Sequence, residues 1–212
     1  ATPDDMRDYY ARIYPKFDRT RFESLLNGFD LDRRRKINTF SKGMKKQLSV
    51  ISGLSACTDY LFCDETFDGL DPVARQAVKS LFAADMSDRK LTPIIASHNL
   101  RELEDICDHV GLLHRGGILF SKDLDEIKLD IHKIQCVFTE EKARESFSDL
   151  QILSFERRGS LYLMTVRGEE SEIVQRLSHR MPLFLEVLPL SLEEIFISET
   201  EVFGYDIKKL LV

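Results

Sequence analysis

Apolar residues change period several times along the chain, and each change predicts an element. Met6, Tyr10 and Ile13 recur at helical spacing after Thr2-Pro3-Asp4-Asp5, which supplies an N-cap, a first-turn proline and two carboxylates at the positive helix end, so a helix over 3–14 is expected. Phe22, Leu25, Leu26 and Phe29 predict a second short helix near Asn27-Gly28, and the basic run Arg33-Arg34-Arg35-Lys36 after it reads as a solvated loop. From Ser41 onward, Met44, Leu48, Ile51 and Leu54 predict a third helix and Tyr60-Leu61-Phe62-Cys63 a buried strand. Asp71-Pro72 opens a further helix with Val73, Ala77, Val78 and Leu81 inward. A strand at 93–97, a helix over 100–108 and a hairpin of 110–114 with 118–121, turning at Arg115-Gly116-Gly117, follow. Strands alternating with helices predict an α/β layer built on a parallel sheet.

The rhythm changes after Lys128. Strand 131–138, helix 140–147, strand 150–157, strand 161–167, helix 169–179 and strand 183–188 give a β-α-β-β-α-β order, the ferredoxin-like arrangement. Ser191-Leu192-Glu193-Glu194 is a capping box ahead of a short helix with Ile195 and Phe196, and the tail from Glu201 has no clear place. The organisation expected is therefore a domain over 1–128, with a helical part at 1–57 and an α/β part at 58–128, followed by a small α+β ferredoxin-like domain over 129–212.

Composition narrows the classes. The 212 residues, 43% hydrophobic and 31% charged, suit one large or two small globular domains and exclude a disordered chain. A net charge of −6 argues against a protein that coats nucleic acid, and no nucleic-acid partner is expected. No apolar run approaches a membrane span and the start does not read as a signal peptide, so a cytoplasmic protein is expected. Cys57, Cys63, Cys107 and Cys136 lack a CxxC spacing; reduced thiols without zinc are expected, with Cys57, Cys63 and Cys136 in the core.

Candidate chemistry gathers around Tyr60-Leu61-Phe62-Cys63-Asp64-Glu65, an apolar strand that ends in two carboxylates at the edge where open α/β sheets bind ligands. Side chains alternate along a strand, so Asp64 and Glu65 face different ways: one can hold Mg²⁺, directly or through water, while the other faces an attacking water. Upstream, Ser41, Gly43 and the free amides at the start of the following helix form a possible anion site, with Lys42, Lys45 and Lys46 adding attraction; the plainer reading is a serine N-cap beside solvated lysines. His98, one strand beyond the carboxylates, is either a core histidine or a side chain able to reach the phosphate end of a nucleotide. His109 and His114 lack partners at metal-ligand spacing and read as structural.

Taken in order, Phe40-Ser41-Lys42-Gly43-Met44-Lys45-Lys46-Gln47, Tyr60 to Glu65, Gly69-Leu70-Asp71-Pro72 and His98 resemble the signature, Walker B, D-loop and switch histidine of ABC transporter nucleotide-binding subunits. The Lys42-Gly43-Met44 form of the signature resembles that of a bacterial exporter-like subgroup. The resemblance covers about the first 125 residues and implies a partial P-loop NTPase core of ABC type with ATP and Mg²⁺ as ligands. In that family two subunits close head to tail on ATP and drive a transmembrane permease from the cytoplasmic face of the membrane. It further implies that Glu65 polarises water, Asp64 supports the metal and His98 contacts the γ-phosphate. Ser41, Lys42, Gly43 and Met44 would bind nucleotide across the dimer, and Asp71 would link the two sites.

Two departures stand out. No glycine in the chain is followed by lysine, so the phosphate-cradling G-x-x-x-x-G-K-[ST] loop is absent, as is the Mg²⁺-sensing glutamine segment that the family places upstream. An N-terminally truncated chain, inactive by itself, is the expectation. Thr66 follows Glu65 where the family usually has proline. The alternative to an ATPase is a non-enzymatic regulatory or dimer-forming module; RNA binding by the second half is disfavoured, because the strand that would stack bases offers only Tyr162.

Overall fold

The computed structural model describes residues 1–114 and 116–202, and these fall into two compact units, Ala1–Ile106 and Cys107–Val212. The first unit runs α1 (Pro3–Ile13), α2 (Arg19–Gly28), a 3-10 turn (Ile37–Thr39), α3 (Lys42–Ser55), β1 (Tyr60–Asp64), α4 (Pro72–Arg89), β2 (Thr92–Ala96) and α5 (Leu100–Glu104). Local chemistry sets the starts of these helices. Thr2 and Asp5 exchange bonds in a capping box, Asp18 accepts from the Arg21 amide at 2.8 Å, and Ser41 accepts from the Met44 amide at 3.1 Å.

Helix α3 is buried on two sides. Leu48 and Ile51 pack with Phe22 and Leu26 of α2, whereas Val50 and Leu54 pack with Cys63 of β1 and Val78 and Phe82 of α4. The buried carboxylate of Asp85 on α4 joins these layers: it pairs with Arg21 of α2 and, at 2.9 Å, with Nε of Arg89. Arg89 in turn donates to the Thr58 carbonyl at 2.7 Å, at the entry to β1.

Strands β1 and β2 pair in parallel, Tyr60 with Thr92 through Asp64 with Ala96. One face of the pair, carrying Leu61, Cys63 and Ile95, packs on the helices, while Tyr60, Phe62 and Ile94 face outward and are exposed. The inward face of α4 is centred on Ala74, Val78 and Phe82, and Val73, expected inward, is 80% exposed. The inward stripe is thus the i, i+4, i+8 row of Ala74, Val78 and Phe82, and Asp71 caps the first turn by accepting from the Val73 and Ala74 amides. Helix α5 ends at Glu104, short of the expected 108, where the Ile106 amide closes onto the Leu103 carbonyl at 3.0 Å.

The second unit runs β3 (His109–His114), β4 (Gly117–Asp123), α6 (Leu124–Asp130), β5 (Ile131–Val137), β6 (Gln151–Arg158), β7 (Leu161–Arg167), α7 (Glu170–Ser178), β8 (Phe184–Leu188) and α8 (Leu192–Val202). Strands β5 to β8 form one antiparallel sheet in the order β6-β7-β5-β8, in which each outer strand follows a crossover over an inserted neighbour. Of the helix expected over 140–147 only a 3-10 turn at Arg144–Phe147 exists. The Tyr162 hydroxyl accepts from the Lys142 amide at 2.8 Å and donates to its carbonyl, which pins that residue outside any helix, and Phe147 plugs the core.

The boundary between units lies at 106/107, not at the expected 128/129. Helix α6 runs into β5 without a linker, and Ile127 and Ile131 share a small core with Ile195, against which Val110 of the hairpin packs. Ser191 and Glu194 exchange the expected capping-box bonds before α8. Tyr162 is 1% exposed among Phe138, Phe147 and Phe155, so it is a core residue and offers no stacking surface for a base. Of the cysteines expected in the core, Cys63 and Cys136 are buried, but Cys57 is only half-buried, at a left-handed position after α3. His109 bonds Ser121 across the hairpin at 2.8 Å, in keeping with a structural role. The side chain of His114, residue Arg115 of the turn and the tail from 203 lie outside the described residues. Among the described residues no helix is long and apolar enough to cross a membrane.

Candidate functional site

The C-terminal ends of β1 and β2 bring Glu65 and His98 together. Glu65 continues the ladder by donating its amide to the Ala96 carbonyl at 2.9 Å, then turns the chain with a φ of 48°. A non-glycine residue held there costs on the order of 1–3 kcal/mol, so the surroundings must enforce it. Two groups meet the Glu65 carbonyl: the Asp68 amide at 3.2 Å and the Lys46 ammonium at 2.7 Å, the latter reaching from α3 and bonding the Asp64 carbonyl at 3.1 Å as well.

With the backbone so turned, the Glu65 carboxylate meets His98. Oε1 lies 2.8 Å from Nδ1 and accepts from the His98 amide at 3.3 Å. The imidazole bond holds the Glu65 carboxyl below the usual carboxylate range, and the same bond raises His98 above the ordinary imidazole value. His98 remains 80% exposed along its side chain, so its second nitrogen stays open to solvent chemistry. Nearby, Asp68 is paired with Lys42 at 2.5 Å, which lowers its own pKa.

The signature segment lies against this turn. A Cβ on Gly43 would stand 3.0 Å from the Gly69 carbonyl oxygen, and Gly69, at a φ of 79°, has the Lys42 stem within 3.3 Å of where its own Cβ would be. Gly43 is therefore required by close backbone approach and Gly69 by its left-handed φ, and together they register the start of α3 with the loop after β1. Within the segment the residues have different freedom. Ser41 is exposed, but its hydroxyl already accepts the Met44 amide; Met44 packs its side chain against the helical core; Lys42 is engaged by Asp68. The Lys42 and Gly43 amides at the positive end of a 14-residue helix remain as anion donors.

Asp64 is exposed at the end of β1, the position from which a carboxylate can support a hydrated cation. Among the described residues no group of three or more His, Cys, Asp or Glu converges as a metal cage. Asp71 spends its carboxylate on capping α4, accepting from Val73 at 3.0 Å and Ala74 at 2.9 Å. Sequence reasoning missed Asp68 and saw Lys46 only as diffuse positive charge. No spacing rule finds a lysine bound to carbonyls eighteen and nineteen residues away, whereas an acid three residues beyond Glu65 in a short turn is a usable signal for Asp68.

No family model matches the chain. It is 31% identical over 192 residues to the ABC transporter ATP-binding protein YtrB of Bacillus subtilis (strain 168), a match that covers 91% of this chain and 65% of that protein. It is 33% identical over 101 residues to the bacitracin transport ATP-binding protein BcrA of Bacillus licheniformis, covering 48% and 33%. The chain thus spans less than two thirds of these curated relatives. A solved ATP-binding subunit of an ABC transporter superposes with a TM-score of 0.54 at 26% identity, covering 60% of this chain and 55% of that one. A second, a putative cobalt transport ATP-binding protein, shares the fold at a TM-score of 0.51 and 15% identity, covering 80% and 60%. By these likenesses and its ordered motifs, the chain is similar to the ATP-binding subunits of ABC transporters and shares the P-loop NTPase fold of its structural neighbours.

Proposed function

We propose that the protein is the ATP-hydrolysing subunit of a bacterial ABC transporter, which couples nucleotide-driven closure of two such subunits to transport through a membrane permease. One observation carries the reading: the Glu65 carboxylate, at the C-terminal edge of a parallel strand pair, is held at 2.8 Å by a histidine from the neighbouring strand. Its lowered pKa keeps Glu65 ionised, so it can accept a hydrogen bond from a water and raise that water's nucleophilicity. His98 orients the carboxylate through Nδ1 and leaves Nε2 to donate to a phosphoryl oxygen. Bound Mg²⁺, supported by Asp64, would neutralise phosphate charge.

Ser41, Lys42, Gly43 and Met44 would face the nucleotide of a second subunit. The Lys42 and Gly43 amides supply the donors there, while Met44 anchors the segment to the helical core. Asp71 acts across that interface through the loop it holds rather than through a free carboxylate. The relatives' names, bacitracin transport ATP-binding among them, support a transport role with ATP as ligand, and this reading takes the role as exporter-like, with a permease at the cytoplasmic face of the membrane as partner. Since the chain lacks the phosphate-cradling loop, it is expected to be inactive by itself. A regulatory or dimer-forming module without catalysis is less favoured, because it gives the Glu65 and His98 pair no task.

The test is Glu65→Gln in the intact protein, which should abolish ATP turnover while preserving ATP binding. Undiminished hydrolysis would remove Glu65 from the mechanism. Calorimetric titration of the 212-residue chain with Mg-ATP should give no saturable heat; tight binding would mean that other groups hold the phosphates.

A further inference from the structure

Lys46 is half-buried on the second turn of α3, and its ammonium donates to two consecutive main-chain carbonyls, Asp64 at 3.1 Å and Glu65 at 2.7 Å. These belong to the last residue of β1 and to the left-handed residue after it. The Asp68 amide reaches the same Glu65 carbonyl at 3.2 Å, so that oxygen accepts two bonds, one from the turn and one from α3. The direction of the Glu65 side chain follows from its backbone conformation: a residue relaxed to the extended or right-handed region would send Cβ, and the carboxylate with it, elsewhere. The Asp68 bond alone closes a short turn, which a non-glycine residue with positive φ resists. A cation tethered to a packed helix opposes that relaxation.

We infer that Lys46 is a positioning residue for hydrolysis: by holding the Asp64 and Glu65 carbonyls from α3, it keeps Glu65 in the left-handed conformation that aims its carboxylate at His98 and the attacking water. The inference rests on the reading of Glu65 as the group that polarises water. Lys46 touches neither nucleotide nor water in this role; it acts through the backbone of Glu65. A neutral side chain of similar length loses the clamp, while an arginine, whose fork also donates to two acceptors, keeps it.

The experiment compares Lys46→Met and Lys46→Arg in the intact protein by amide hydrogen exchange and by steady-state ATP turnover. In Lys46→Met the amides of Asp68 and His98, which bond the Glu65 carbonyl and carboxylate, should exchange about tenfold faster while those of α1 and α2 keep their protection. The kcat should fall about tenfold with the KM for ATP changed by less than about twofold, and Lys46→Arg should restore both readouts. Unchanged exchange at Asp68 and His98 would overturn the inference. So would exchange accelerated throughout the first unit with no rescue by arginine, since that is a purely structural lysine. Glu65→Gln, measured alongside, separates the two failures: turnover surviving that substitution refutes Glu65 as the base, and the exchange comparison still decides whether Lys46 holds the turn.

Discussion

Nδ1 of His98 lies 2.8 Å from Oε1 of Glu65, and the two residues stand just beyond the ends of adjacent parallel strands. The bond raises the pKa of His98 and lowers that of Glu65, so the ion pair exists between the depressed carboxylate value and the raised imidazole value. Below that window Glu65 protonates; above it His98 loses its charge. The pair's contribution to stability follows the same signs. The histidine part is fully present below the ordinary imidazole value and disappears as pH rises through the raised one, and the glutamate part is lost as pH falls through the depressed one. Asp68 and Glu102 face the same imidazole and add to its elevation. In an NMR titration His98 is expected to have its midpoint above about 6.5, the ordinary value, and Glu65→Gln should bring it down. A His98 midpoint indifferent to Glu65→Gln would dissolve the pairing.

Asp71 separates a structural from a direct role. Its carboxylate caps α4 through two amides, so Asp71→Ala should destabilise the first unit by about 1 kcal/mol, whereas Asp71→Asn, which keeps a side-chain acceptor, should cost a few tenths of that. Urea unfolding of the two variants checks this. Equal losses would mean that the charge matters and not the cap.

Asp85 is the group on which the layers of the first unit converge. Its side chain is 6% exposed between Arg21 and Arg89, and Asp85→Ala would leave two guanidinium groups facing a buried void. A loss of about 3 kcal/mol is expected from breaking a buried ion pair, read as a lower urea midpoint. Substituting Arg21 should cost less, because Arg89 still satisfies the carboxylate. A harmless Asp85→Ala would show that the triad adds nothing to stability.

Tyr162 makes the corresponding test in the second unit. Tyr162→Phe keeps the ring in the core but strands the Lys142 amide and carbonyl, for an expected loss of about 1–2 kcal/mol. Faster amide exchange should be confined to the segment between β5 and β6. An unaltered Lys142 amide would exclude the hydroxyl as what keeps that segment out of a helix.

Helix starts were legible because capping is local: Thr2, Ser41, Asp71 and Ser191 each bond an amide two or three residues on, and the chain shows both partners at once. The order of strands after 130 was legible as well, since a period-2 pattern interrupted by turns leaves few ways to build an antiparallel sheet. The missing helix at 140–147 was not, because what prevents it is a hydroxyl twenty residues away. The outward placement of Val73 escaped the helical period because periodicity alone does not say which of two adjacent rows of a helix meets the core.

By itself the sequence determined the order of the signature, the paired carboxylates, the glycine loop and the histidine, and hence the chemistry that these residue types can perform. Ordered motifs are a one-dimensional property. Only the tertiary structure decided which atoms meet: the Glu65 carboxylate with His98, Gly43 with the Gly69 carbonyl, Lys42 with Asp68 and Lys46 with the carbonyls behind the base. Such contacts join residues 26 to 33 positions apart, or 18 and 19 for Lys46, through a backbone turn of positive φ, and nothing in local propensity encodes the direction in which that turn sends a side chain.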